Sequence, residues 1–334
     1  MIQKSSGFRS RALAVAALLA FAVPSGAQAP AKSYSFTPVL HSVSYAGVWR
    51  GQTQLTLDQF LVKAKDLGFR HIEVMAKRPH LSPLDYDAEG RKKLKARIAE
   101  LGLKLVCLAG YPDFTASAEK PGIPSAEMNA VYVGEVARLA KDLGVPLVRV
   151  FTGYERSGVP YDTQWGIVVQ GLKLASRKAA EYGITLAVQN HHDIAIHPEA
   201  TYWLIKEVNE PNCKAAFDAW SPALQGINGR ELNEAACRMA GDMVYTTVAD
   251  YVKQPRYRYD AAIVNYVKQD DVVRAVPFGT GFIDYKSFFQ ALKESGYNGY
   301  VAYEMCEVLE GGGSVENLDK TARRFLDTFR EMTK

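Results

Sequence analysis

Cysteine is sparse and scattered in this chain. The four present, Cys107, Cys213, Cys237 and Cys306, include no C-x-x-C pair, so a zinc ribbon or a thiol redox motif is excluded. No G-x-G-x-x-G follows the first strand-like run and no G-x-x-x-x-G-K-[ST] occurs anywhere, so dinucleotide and P-loop sites lack their phosphate cradle. An excess of one charge is missing too. The formal charge is +4, and three of the positive groups, Lys4, Arg9 and Arg11, lie at the extreme N-terminus, leaving +1 for the rest. Nothing there calls for nucleic acid or an anionic surface as partner. After Val23 no apolar run is long enough to cross a bilayer core of about 30 Å as a helix.

What is present starts with a leader. Lys4, Arg9 and Arg11 precede an apolar run from Ala12 to Val23, and Ala27-Gln28-Ala29 offers a small-x-small cleavage site. Residues 1–29 therefore read as a signal peptide and residues 30–334 as the mature chain, periplasmic or secreted, with no membrane association after processing. In such a compartment one disulfide is conceivable, but Cys107, Cys213 and Cys306 each sit in an apolar run and read more simply as buried thiols.

Along the mature chain short β-branched or aromatic runs alternate with longer amphipathic ones. The strand candidates are Val39 to Ala46, His71 to Lys77, Leu103 to Gly110, Leu147 to Gly153, Thr185 to His191, Ala215 to Ala219, Val244 to Tyr251 and Tyr300 to Glu304. Helical patterns run between them, for example Thr56 to Leu67, Ala88 to Leu101, Ser125 to Leu143, Thr163 to Tyr182 and Tyr285 to Ser295. Gly68, Gly102, Gly144, Gly183 and Gly296 stand where such helices need a left-handed cap. Eight βα units in unbroken series predict one α/β domain, a (β/α)8 TIM barrel. One connection is out of scale: Lys253 to Gly281, rich in Arg and Tyr, reads as a long loop at the active face that acts as a lid.

In such a barrel the chemistry sits at the C-terminal strand ends. The second strand ends with Glu73, Lys77, Arg78 and His80, and the fifth with Gln189, Asn190, His191, His192 and Asp193. The sixth brings Asp218 beside Trp220, and the eighth Glu304 and Glu307. A carboxylate ending an apolar strand costs several kcal/mol unless it is paired or binds a metal. Adjacent His191 and His192 point to opposite faces unless the strand has already ended. Should Gln189 and His191 face inward, they converge with Asp218 and Glu304, and one imidazole with two carboxylates suits a divalent ion such as Mn2+, Co2+, Zn2+ or Mg2+. A structural ion pair to a neighbouring Lys or Arg is the alternative for either carboxylate. His80, Lys77, His192, Trp220 and Arg256 are the expected substrate contacts. Tyr45, Trp49, Phe151 and Tyr154 are further candidates for the apolar face of a sugar ring.

These residues carry a resemblance. The runs Gly-Phe-Arg-His-Ile-Glu, Leu-Ala-Val-Gln-Asn-His, Phe-Asp, Pro-Phe-Gly-Thr-Gly-Phe-Ile-Asp-Tyr and Gly-Tyr-Asn-Gly-Tyr-Val-Ala-Tyr-Glu resemble the sugar phosphate isomerase/epimerase family, the xylose isomerase-like barrels that also include endonuclease IV. The resemblance implies a divalent metal held by Glu, Asp, His and Glu, with the two glutamates exchanging protons beside a carbonyl. Asp218 and Glu304 match two of those ligands. Gln189 stands where the first glutamate is expected, and Thr247 or Thr246 where the histidine is. Glutamine cannot take a proton. The metal would then recruit His191 or Glu73, and Glu304, His191 and Glu73 are the candidate acid-base groups. The resemblance thus implies an exported sugar isomerase or epimerase working through an enediolate. A lyase that cleaves 3-keto-glycosides by β-elimination is the alternative, and a non-catalytic carbohydrate-binding barrel a further one. A nuclease fits poorly, since that chemistry gathers many histidines and this chain has six.

Overall fold

The computed structural model describes residues 35–120 and 122–334. The leader expected at residues 1–29 lies outside them. Among the described residues no helix is long and apolar enough to cross a membrane.

Eight short parallel strands form the frame: β1 (Thr37–His41), β2 (His71–Met75), β3 (Lys104–Ala109), β4 (Leu147–Val150), β5 (Thr185–Gln189), β6 (Cys213–Ala216), β7 (Tyr245–Val248) and β10 (Tyr300–Tyr303). Their order is β6-β5-β4-β3-β2-β1-β10-β7. A parallel bridge from Ala215 to Met243, with Val244 N–H donating to Ala215 O at 3.0 Å, brings the two edges together and completes the barrel. Helices cover it: α1 (Leu57–Asp66), α2 (Ala88–Glu100), α3 (Ser125–Leu143), α4 (Tyr161–Ala180), α5 (Pro198–Val208), α6 (Trp220–Leu224), α7 (Arg230–Met239), α8 (Tyr285–Glu294) and α9 (Val315–Met332). The α/β (β/α)8 expectation holds, and the strands are shorter than the apolar runs that announced them.

Local chemistry sets these boundaries. Thr56 opens α1 with a capping box, its hydroxyl accepting from Gln59 N–H while the Gln59 side chain accepts from Thr56 N–H. Gly144 closes α3 at φ 77°, a conformation that disfavours a Cβ, and returns the chain to β4. Outward side chains of the strands pack on the helices in one large apolar layer. The barrel interior is a separate, smaller cluster of Val39, Val106, Cys107, Leu147, Ala187, Ala216, Tyr245 and Ala302. Three of these are alanines. Small residues on β5, β6 and β10 leave room inside the barrel for longer polar side chains near its mouth.

The long connection is not a loop. It is an antiparallel hairpin of β8 (Asp250–Asp260) and β9 (Asn265–Val276), paired from Asp250 with Val276 to Asp260 with Asn265 and bulged between Gln254 and Arg256. Its outer part is solvated on both faces, with Tyr257, Tyr259 and Tyr266 exposed. Its base is held by a clasp. Asp250 Oδ2 accepts from Gly279 N–H at 2.9 Å and Gly281 N–H at 2.8 Å, and Phe282 N–H donates to Tyr251 O at 2.9 Å. A Cβ at Gly281 would run into the Asp250 carboxylate and the Tyr251 carbonyl. The Pro277 to Tyr285 run singled out in the sequence is this clasp.

Candidate active site

A cavity of about 390 Å³ opens at the C-terminal ends of the strands. A larger groove of about 1030 Å³ lies between α7 and α8 on the outer surface, away from the strand ends and the polar cluster, so size alone does not mark the site. The walls of the smaller cavity are aromatic: Trp49, Tyr111, Phe151, Tyr154, Trp220 and Tyr251 all line it.

At its heart is Arg149, 2% exposed, on β4. Its register partners on β3 and β5 are Ala109 and Ala187, so nothing bulky blocks its way across the barrel. Its Nε donates to Glu73 Oε1 at 3.2 Å, and its Nη2 lies 3.2 Å from His41 Nε2. The guanidinium carbon sits 4.4 Å from the Phe151 ring centre and 5.4 Å from that of Tyr111. Burial opposes its charge, but Glu73, Tyr111 and Glu304 outweigh that and keep it protonated. Glu73 is fully enclosed, its second oxygen accepting from Tyr245 O–H at 3.1 Å. His41 is drawn down to about 4, chiefly by burial, and is neutral at pH 7. Neither Arg149 nor His41 was singled out from the sequence.

On the neighbouring strand Gln189, at the end of β5, donates its amide to Asp218 Oδ2 at 2.9 Å. Ser221 N–H donates to Asp218 Oδ1 at 2.9 Å. Asn190 doubles the junction, accepting from Asp218 N–H at 2.7 Å and donating to Asp218 O at 3.1 Å. Burial lifts the Asp218 carboxyl to about 7 even against these bonds. Glu304 is likewise lifted to about 7 by burial, with Arg149 pulling the other way.

Both histidines reach the cavity because β5 has ended. His191 N–H closes a tight turn on Gln189 O at 2.8 Å, and His192 takes φ 66°. His192 stacks on Tyr154 at 4.0 Å, and His191 packs against Trp220 at 4.9 Å. Burial lowers His191 to about 3 and His192 to about 4, so both are neutral imidazoles at pH 7.

The cavity therefore brings together Lys77, Gln189, His191, His192, Trp220 and Glu304 from the expected set. Four other expectations are corrected. Glu73, expected as an acid-base group, is the counter-ion of Arg149, with both oxygens engaged. His80, expected to touch substrate, is spent on the scaffold: Nδ1 meets Ser42 Oγ at 3.0 Å, Nε2 meets Leu55 O at 3.1 Å, and the ring stacks on Phe60. Arg256 is exposed out on the hairpin, paired in register with Gln269 and not part of the cavity lining. Tyr45 turns its hydroxyl to Asp319 at 2.9 Å instead of to a ligand. The cysteines are free thiols, Cys107 and Cys213 buried and Cys306 half-buried on the cavity wall.

With this geometry in place the family is defined. The chain belongs to the xylose isomerase-like TIM barrels, whose family profile matches residues 61–329. It is 24% identical over 257 residues to the L-ribulose-5-phosphate 3-epimerase UlaE of Salmonella heidelberg (strain SL476), covering 73% of this chain and 80% of that protein. Its fold is similar to that of D-psicose 3-epimerase from Clostridium cellulolyticum H10, solved with D-tagatose, at a TM-score of 0.68 and 16% identity over 90% of this chain and all of the other. The probable 3-DHS dehydratase AsbF of Bacillus anthracis has a TM-score of 0.64 and 15% identity, over 87% of this chain and 99% of that one.

Epimerases of this family typically use a divalent metal. The donors expected to hold one here, Asp218, Glu304, His191 and Gln189, do not fit it. Among the described residues no three His, Cys, Asp or Glu side chains gather to hold an ion. Gln189 brings a neutral carbonyl oxygen where a carboxylate is wanted, and the hydroxyls of Thr246 and Thr247, buried without a partner, are weak neutral donors where an imidazole is wanted.

Proposed function

We propose that this protein is a sugar isomerase or epimerase-type enzyme that takes a proton from a carbon beside a carbonyl and returns it elsewhere. The observation that carries the reading is Glu304, a carboxyl in an aromatic cavity lifted to about 7, so that at neutral pH it can both accept and give a proton. Its carboxylate removes the proton, the C–H electron pair forms the C=C bond, and the carbonyl π pair moves to oxygen as an enediolate. Return of the proton to the neighbouring carbon, as the hydroxyl hydrogen passes from one oxygen to the other, isomerises the sugar. Delivery of a proton from water to the other face of the same carbon, while Glu304 keeps the one it took, epimerises it. Trp49, Phe151 and Trp220 offer faces for the ring, and Lys77 and His192 polar contacts. Membership of the family, and relatives that are sugar epimerases, support this reading. With the leader of residues 1–29 removed, the enzyme works outside the cytoplasm on a free sugar or keto-glycoside.

Gln189 favours a second reading. Since it cannot take a proton, the site has one carboxylate base in the cavity, and β-elimination needs only one: Glu304 takes the proton at C2 of a 3-keto-glycoside, and the electron pair expels the C1 oxygen, which leaves as the alcohol after protonation. Incubation of candidate sugars in D2O tests both. Deuterium at the carbon beside the carbonyl, lost in Glu304→Gln, supports the enolising site, and the products separate isomerase from lyase. No exchange with any keto-sugar would leave a carbohydrate-binding barrel.

A further inference from the structure

We propose that the guanidinium of Arg149, with the ammonium of Lys77 beside it, holds the sugar's carbonyl oxygen and the negative charge it gains, the task for which the family typically employs a divalent cation. The inference rests on the enolising reading above and names the group that makes it workable without a metal.

Three observations point the same way. First, Arg149 is fully built in but not fully paired: Nε and Nη2 have partners in Glu73 and His41, whereas Nη1 is buried, lines no protein acceptor, and belongs to a side chain on the cavity wall. A charged donor left unpaired in a buried site is a cost of folding that a ligand oxygen would relieve. Second, the guanidinium cannot swing to find a partner, being fixed by Glu73 below it and by the rings of Phe151 and Tyr111. Glu73 is itself fixed by Tyr245. A fixed dipole or charge aimed at a developing oxyanion needs no reorganisation during the reaction. Third, a second cation converges: Lys77 Nζ lies 3.6 Å from the Tyr111 ring centre, on the same cavity wall, with no carboxylate partner among the described residues. Two cations thus line a cavity in which Glu307 is already paired with Arg274 and Glu304 alone is left as a carboxyl.

The probe is D-gluconate, whose planar carboxylate imitates the two-oxygen charge of an enediolate, with D-glucitol as its uncharged counterpart. Both are titrated calorimetrically into the chain dialysed against EDTA. Gluconate is expected to bind more tightly than glucitol. In Arg149→Met combined with Glu73→Gln, which leaves no buried charge alone, gluconate affinity is expected to fall about 10- to 100-fold, the range of a lost charge-assisted hydrogen bond. Lys77→Met, on a half-exposed residue, is expected to lose severalfold, and it carries the test if the double variant fails to fold. Glucitol affinity is expected to stay within about twofold in each, a split that general damage to the barrel would not produce. Equal binding of the two ligands by the wild type overturns the proposal. So does gluconate binding that needs added Mn2+, or that both variants leave intact. Gluconate preference without proton exchange in D2O would instead remove the enolising reading and leave an Arg149 anion site standing.

Discussion

Gln189 and Asp218 are joined by a hydrogen bond of 2.9 Å across the ends of β5 and β6, with the amide as donor. Asp218 does not line the cavity: it is fully buried behind Gln189, with both of its oxygens met by neutral donors. Gln189→Glu would set two buried carboxyls against each other, and they would have to share one proton. The variant is expected to melt near the wild type at pH 5.5 and to lose about 1–3 kcal/mol by pH 8, as the second proton is forced off. Thermal melts at the two pH values check this.

On the proposed mechanism Glu304 sets the pH dependence of the reaction. As a base it must be ionised, so the rate of solvent exchange is expected to rise with pH through a midpoint near 7. Glu304→Gln is expected to lower that rate by about two to four orders of magnitude. The stability effect has the opposite slope. A carboxyl raised on folding stabilises the fold in acid, fully below its unfolded value, and that contribution is lost as pH rises through about 7. Glu304→Gln should therefore gain on the wild type as pH increases, which denaturant titrations at several pH values will show.

Glu73 matters through Arg149. Glu73→Ala strips a buried guanidinium of its counter-ion and Tyr245 of its acceptor, and is expected to cost about 3–5 kcal/mol in denaturant unfolding. A base with no structural part would leave the unfolding curve in place.

His80 and Arg256 separate scaffold from site. His80→Ala loses both ring partners and the Phe60 contact and is expected to cost about 2–4 kcal/mol, with KM unchanged in the protein that folds. Arg256→Ala, on an exposed strand of the hairpin, is expected to alter stability by less than about 0.5 kcal/mol and KM not at all. Melts and steady-state kinetics on the two variants check both.

The strands, their order of appearance and the polar groups at their ends were legible because a parallel barrel buries both faces of each strand and leaves polar residues conspicuous where it stops. Arg149 was missed although its signal is plain: a charge between Val148 and Val150, inside a strand rather than at its end. Its room to reach into the cavity goes with Ala109 and Ala187 in neighbouring strands, a relation that only register supplies. His80 was misplaced for the same kind of reason, since its partners Ser42 and Leu55 lie 38 and 25 residues away. The hairpin was read as a loop because its outer strands face water on both sides, so the apolar alternation that marks a half-buried strand is missing.

The Asp250 clasp gives the hairpin a further meaning. The chain leaves the barrel at Tyr251 and re-enters at Phe282 through one short seam, so residues 252–276 form a cassette whose two ends are tied together. Tyr251 and Val273, at its root, are part of the cavity wall, while the outer residues meet only solvent. The end of β9 is also tied to the turn after β10, Glu310 N–H donating to Ala275 O at 3.0 Å and Arg274 pairing with Glu307, so only the arm beyond these ties is free of the barrel. The length and charge of that arm can thus vary without altering the lining of the cavity.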